Sequence, residues 1–208
     1  MPADPRRTAA IADVRRAYRL LWAYQRQILD TIKIIEGAFP NHGFEWWNNR
    51  LYNLPTRGRN PARHWAWDLL PFYNISAFYL PAGPAPRVPA PEQWMLQIRI
   101  ISDDAYESYE GKGERDARGF ADAAGSRSSL ALLGWKCTGQ YDGPWIDGLW
   151  NHAEYPDGDG KASVQSDPPV SVVRKTFDIA DLGTREEVER AVEAFKGVLR
   201  RELGLIVP

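Results

Sequence analysis

Residues His42 to Asp68 read HGFEWWNNRLYNLPTRGRNPARHWAWD and concentrate the side chains best suited to recognition. The segment holds Trp46, Trp47, Trp65 and Trp67, the histidines His42 and His64, and Arg50, Arg57, Arg59 and Arg63, against only Glu45 and Asp68 as acids. Flat π-faces beside guanidinium groups and side-chain amides suit nucleobases, phosphates or the acidic residues of a partner. Trp46, Trp47, Arg50, Arg57, Arg59, Arg63, His64 and Trp65 are therefore the candidate binding residues. Buried tryptophans anchoring a loop would give the same letters, so an exposed recognition surface stands against a structural anchor.

Metal chemistry finds weaker footing. His42 and Glu45 are three apart and His64 and Asp68 four apart, which on a helix would put each pair on one face. Both pairs lie in a region broken by Gly and Pro, where satisfied structural histidines are the simpler expectation. A nuclease reading places Asp68 before one strand and Gln97-Ile98-Arg99 on the next, in the manner of an Asp followed by Glu-x-Lys that binds Mg²⁺ and positions water. Asp68, Gln97 and Arg99 are the alternative catalytic set. Gln97, however, stands where a second carboxylate is required, and Arg99, which scarcely deprotonates, stands where lysine is. Glu110-Gly111-Lys112 matches those letters better, but in an expected loop. Asp157-Gly158-Asp159-Gly160 has the texture of a calcium loop, yet Tyr155 and Ser166 fall at the first and last ligand positions, where carboxylates belong. A tight turn is the expectation there. No phosphate-binding glycine loop, nucleophile elbow or Cys-x-x-Cys is present, and the residues call for no cofactor and no metal.

The bulk properties narrow the classes further. A chain of 208 residues suits one domain with its own core. The formal net charge of −1 argues against sequence-blind nucleic-acid binding, which needs a strong positive field. The single cysteine, Cys137, excludes an internal disulfide and fits a reducing compartment. The polar start of the chain lacks a signal-peptide core, and no apolar run approaches the roughly 20 residues that cross a bilayer. A cytoplasmic protein with no membrane partner is expected. The texture rich in Ala, Arg, Pro and Gly is by association that of a bacterial or phage protein.

Several elements must position these residues. Ile11, Val14, Tyr18, Leu21, Gln25, Ile28, Ile32 and Ile35 follow alternating steps of three and four, which predicts a helix over about 8–36, capped by Thr8 and ended by Gly37. Arg15, Arg19, Arg26 and Lys33 form a second stripe beside it, either a solvated edge or a basic rail. The apolar stripe serves the core or a homodimer seam. Residues 39–68 read as irregular. Strands are expected over 69–80, over Trp94 to Ile101, over Ser129 to Thr138 and over Val170 to Asp178, with a stiff Pro-rich connection over 81–91. Residues 103–128 read as a mobile loop with at most a short helix, Tyr141 to His152 as a turn and short strand, and Glu154 to Asp167 as a loop. The last helix, about 184–203, has a Thr184–Glu187 capping box, acids first, arginines last, and Gly204 as its stop.

This element order is α+β: an antiparallel or mixed sheet of about 4–6 strands with both helices packed on it. The function expected is a non-catalytic interaction protein that recognises a protein partner, or else a nucleic acid or nucleotide-like ligand, through its aromatic and arginine residues. A metal-dependent hydrolase or nuclease is the alternative.

Overall fold

The computed structural model describes residues 4–49, 72–82, 87–110 and 117–208. Helix α1 (Pro5–Gly37) leads into strand β1 (His42–Asn49), followed by β2 (Asn74–Pro81), β3 (Trp94–Ile101), β4 (Ser129–Cys137), β5 (Ser163–Ser166), β6 (Pro169–Asp178) and helix α2 (Arg185–Leu203). The strands form a six-stranded sheet in the order β1-β2-β3-β4-β6-β5, every described pairing antiparallel. The architecture is the expected α+β arrangement, with a long N-terminal helix and a C-terminal helix. No helix among the described residues is long and apolar enough to cross a membrane.

The two faces of the sheet follow from the period-2 alternation of its central strands. Leu96, Ile98 and Ile100 of β3 and Leu130 and Leu132 of β4 meet the helices, in one core with Ile28, Ile35, Val188, Val192, Phe195 and Leu199. Met95, Leu133, Trp135, Cys137, Val170 and Val172 build a second core on the opposite face. Among the described residues no α-helix covers that face. A π-helical turn, Trp145–Trp150, supplies Trp145, Leu149 and Trp150 to it instead.

Helix α2 forms for local reasons that all agree. Thr184 accepts from the Glu187 backbone N–H, and the Glu187 carboxylate accepts from the Thr184 N–H. The helix ends at Gly204 in the left-handed region, φ 66°, where a side chain would be strained. It lies close on the sheet at Gly134, where a Cβ would run into Leu199 Cδ2 and approach Leu203.

Five features differ from the sequence expectation. Helix α1 starts at Pro5, because Asp4 caps it by accepting from the Arg6 N–H at 2.9 Å; Thr8 instead hydrogen-bonds the Asp4 carbonyl. The apolar stripe of α1 is core only in its last turns, at Ile28 and Ile35, while Ile11, Val14, Tyr18 and Leu21 are exposed. The segment read as irregular from residue 39 contains β1, and Tyr141 to His152 contains the π-helical turn rather than a strand. The expected loop from Glu154 contains β5, which forms a hairpin with β6. Between β3 and β4 the described residues form only short 3-10 turns, as a loop there requires.

Two substitutions check this packing. Ile28→Ala removes a side chain that is 1% exposed and should cost about 2–5 kcal/mol in urea unfolding. Gly134→Ala should cost about 1–3 kcal/mol, because Leu199 and Leu203 sit in a filled core and must shift. An unchanged midpoint for either would contradict the seating of that helix.

Candidate interaction surface at the β1 edge

Strand β1 forms one edge of the sheet, and its aromatic residues define the candidate site. Phe44 pairs with Tyr79 and Trp46 with Phe78, so the register shifts by one residue at Glu45, a β-bulge. Because of that extra residue, Phe44 turns to the helix side and meets the Tyr79 ring edge-on at 5.7 Å. Trp46 turns to the far side, stacked on Phe78 at 5.7 Å and 19° and set edge-on to Trp150 at 6.4 Å. Trp47, opposite Ala77, returns to the helix side. All three remain between 39% and 54% exposed, unusual for residues of this size. Among the described residues no strand pairs with the outer edge of β1. The opposite edge, β5, is only four residues long, a common way to blunt a sheet edge.

Trp46 is the outermost member of a network that runs inward across the far face. The indole N–H of Trp150 donates to the Tyr155 hydroxyl at 2.9 Å. The Gln97 amide lies at the centre, fully buried: its Nε2 donates to Ser76 Oγ and to the Tyr155 hydroxyl, both at 2.9 Å, and its Oε1 accepts from Trp135 Nε1 at 2.9 Å. One amide thus satisfies several polar groups that burial would otherwise strand. Arg99, two residues along the strand, pairs with Glu107 at 2.6 Å and lies over the Tyr155 ring at 5.7 Å. Asn74 Nδ2 donates to the same Glu107 oxygen at 3.2 Å.

The structure therefore brings Trp46, Gln97 and Arg99 together on one sheet face, and puts Trp47 on the other. Gln97 is an organising amide and Arg99 an ion-paired side chain. Arg50, Arg57, Arg59, Arg63, His64, Trp65 and Asp68 lie outside the described residues. Phe44, Tyr155, Trp150 and Glu107 belong to the surface and its support but stand out by no motif. Tyr155 reaches Gln97 across 58 positions of sequence, a contact no local spacing encodes.

The other singled-out residues have structural partners. His42 Nε2 lies 3.1 Å from the Trp94 carbonyl, and its ring is 4.1 Å from the Trp94 ring. Burial disfavours its charged form and holds its pKa below the ordinary value. Asp159 accepts from Thr176 at 2.9 Å and Lys175 at 3.3 Å, in a turn completed by Gly160 at φ 75°. Cys137 is buried against the Gly139 carbonyl, and burial pushes its thiol up. Arg15, Arg19 and Arg26 are exposed, and Lys33 pairs with Asp30 at 3.0 Å. Among the described residues no three His, Cys, Asp or Glu side chains gather as a metal site.

Comparison with known proteins adds one finding. The PM0109 family model matches residues 5–204, so the chain belongs to that family. No curated protein and no solved structure matches it.

Two measurements check the network and its rim. Gln97→Leu keeps the volume but leaves the Trp135 N–H and Tyr155 hydroxyl short of a partner, and should cost about 1–3 kcal/mol. An unchanged stability would remove Gln97 from its central place. For His42, NMR titration should give a pKa below 6.5 in the folded protein. The folded state favours neutral imidazole, so this contribution to stability is complete above pH 6.5 and is lost as the pH falls. A pKa at or above that value would contradict the burial of the ring.

Proposed function

We propose that this PM0109-family protein is a non-catalytic interaction protein whose β1 edge docks an extended, acidic segment of a partner protein. The observation that carries the reading is the exposure of Phe44, Trp46 and Trp47 on one edge strand. An edge strand offers backbone N–H and C=O groups for an added strand, and aromatic side chains on both of its faces can hold alternate residues of the guest. The bulge at Glu45 supports this by placing Trp46 on one face and Phe44 and Trp47 on the other. Rigid aromatic anchors dominate binding energy in many interfaces, because they desolvate large areas at little entropic cost. Arg50, Arg57, Arg59 and Arg63 follow β1 directly in sequence, and their charge favours an acidic guest over a basic one.

The supporting layer fits recognition better than turnover. Trp46 rests on Phe78 and Trp150, and Trp150 is held in turn by Tyr155 and Gln97. Such a layer pre-organises an aromatic side chain, so that little order is lost when a partner binds.

Affinity capture from the native host with Trp47→Ala, and separately with Arg57→Ala plus Arg59→Ala, tests the reading. Trp47→Ala should melt within roughly a degree or two of the parent, because that side chain is half exposed. Each should weaken binding of the purified partner by about tenfold, or about 1.4 kcal/mol. The bound partner should also protect the β1 backbone amides from hydrogen exchange. Full-strength binding by folded Trp47→Ala would move the site elsewhere. Metal-dependent cleavage of DNA or RNA by the parent, lost in Asp68→Ala, would replace this reading with the hydrolase.

A further inference from the structure

The N-terminal half of α1 stands clear of the sheet. Ile28 and Ile35 are 1% exposed, yet Ile11, Val14, Tyr18, Leu21 and Trp22 are between 39% and 71% exposed. One continuous stripe, spaced by alternating steps of three and four, is thus covered at one end and bare at the other. We propose that the bare half pairs antiparallel with the same half of a second copy, making the protein a symmetric homodimer through two helical arms.

The register follows from the spacing. When Val14 lies opposite Tyr18 of the partner subunit, Ile11 falls opposite Leu21 of the partner subunit, and Arg7 opposite Gln25 of the partner subunit. The two-fold axis repeats each pairing, as a self-complementary interface requires. In this register Asp4 lies level with Ile28 of the partner subunit, where the arm ends and the body begins. The two arms therefore cover each other's exposed stripe from Ile11 to Leu21, within an overlap over residues 5–27 that is about 34 Å long at 1.5 Å per residue. Alternating three- and four-residue steps are the spacing that lets side chains interlock between paired helices.

Charge selects the antiparallel direction. Residues 5–27 carry Arg6, Arg7, Arg15, Arg16, Arg19 and Arg26 against Asp13 alone. At 100° per residue, Arg15, Arg19 and Arg26 lie roughly 80–120° round from the stripe and Arg16 opposite it, so the seam itself stays apolar. A parallel pair would hold Arg6 and Arg7 of both chains side by side. The antiparallel pair instead brings them to the base of the other arm. There the Tyr24 hydroxyl meets Ser102 Oγ at 2.8 Å, and Asp103 and Asp104 follow immediately in sequence. Asp178 lies at the same end of the sheet, opposite Ser129, which pairs with Ile101. The basic tip of each arm thus reaches an acidic rim on its neighbour.

The area is sufficient as well. Five large side chains that are about half bare offer on the order of 500 Å² per chain, or about 1,000 Å² in all, the lower bound for a specific interface before arginine stems are added. This inference is independent of the β1 edge, which lies at a different place in the fold.

Light scattering across a dilution series should show a dimer for the parent chain. Leu21→Glu and, separately, Ile11→Glu should keep the parent's circular dichroism, because both side chains are exposed in the single chain. Each should raise the dimer dissociation constant by about tenfold or more. Under mild oxidation, Val14→Cys mixed with Tyr18→Cys should give the mixed disulfide ahead of either same-site one. A monomeric parent overturns the proposal, and so does a dimer that Leu21→Glu leaves intact. Preferential Tyr18→Cys self-coupling would overturn the antiparallel direction. A monomeric parent that sediments with phosphatidylglycerol vesicles would assign the stripe to a lipid surface instead.

Discussion

Gly134 lets α2 lie against the sheet, and much of the remaining structure follows from that approach. With no side chain at this position, Leu199 and Leu203 settle directly on β4. Helix α2 then presents Phe195 to Phe39, edge-on at 6.2 Å, and Lys196 lies over the same ring at 5.8 Å. Phe39 in turn meets Trp94 at 6.0 Å and His42 at 6.5 Å, at the start of β1. A side chain too large at one strand position would thus be felt through the helix and at the entry to the edge strand. Dense packing transmits displacement in this way because few voids exist to absorb it.

The two faces of the sheet solve different problems. The helix face is closed chiefly by apolar contact, with Tyr79 and, on α1, Thr31 the buried side chains there that carry a hydroxyl. The far face has no α-helix among the described residues, and its covering includes tryptophan and tyrosine side chains that carry polar atoms. Gln97 satisfies several of these atoms by joining Trp135, Ser76 and Tyr155, whereas the buried Trp145 indole N–H has no partner among the described residues. An amide serves better than a carboxylate here, because it donates and accepts at once without burying a charge. The same residue type that weakens a metal-binding reading is thus the one the packing requires.

The edges and the arm leave apolar surface uncovered for reasons that lie in the sheet's limits. At β1 the bulge sends three large aromatic rings to two faces of a strand whose outer side has no strand partner among the described residues. At α1 the helix runs past the sheet, which ends near Ser102, where Tyr24 makes its hydrogen bond. Beyond that point no strand among the described residues lies beneath the stripe. Exposed aromatic and aliphatic groups of this size carry a hydration cost that association relieves.

The elements legible in the amino-acid letters are those whose signals are short in range. Helix α2, expected over about 184–203, was legible to within a residue of Arg185–Leu203, because capping box, dipole complement, apolar spacing and glycine stop all act within a few turns. Strand β3 and most of β4 were nearly as legible: in β3 the apolar Leu96, Ile98 and Ile100 alternate with the polar Gln97 and Arg99, and β4 is a short, almost wholly apolar run of strand length. Strand β1 was hidden by its bulge: one inserted residue breaks the alternation, and consecutive tryptophans then read as irregular chain. The π-helical turn over Trp145–Trp150 was hidden because its glycine-broken aromatic run matches no regular period. The stripe of α1 makes the sharpest contrast. Its spacing is the same from Ile11 to Ile35, and nothing local separates the covered half from the bare one. The folded chain separates the two halves, because burial depends on how far the sheet extends beneath the helix, and that length is set by strand pairing across residues distant in the chain.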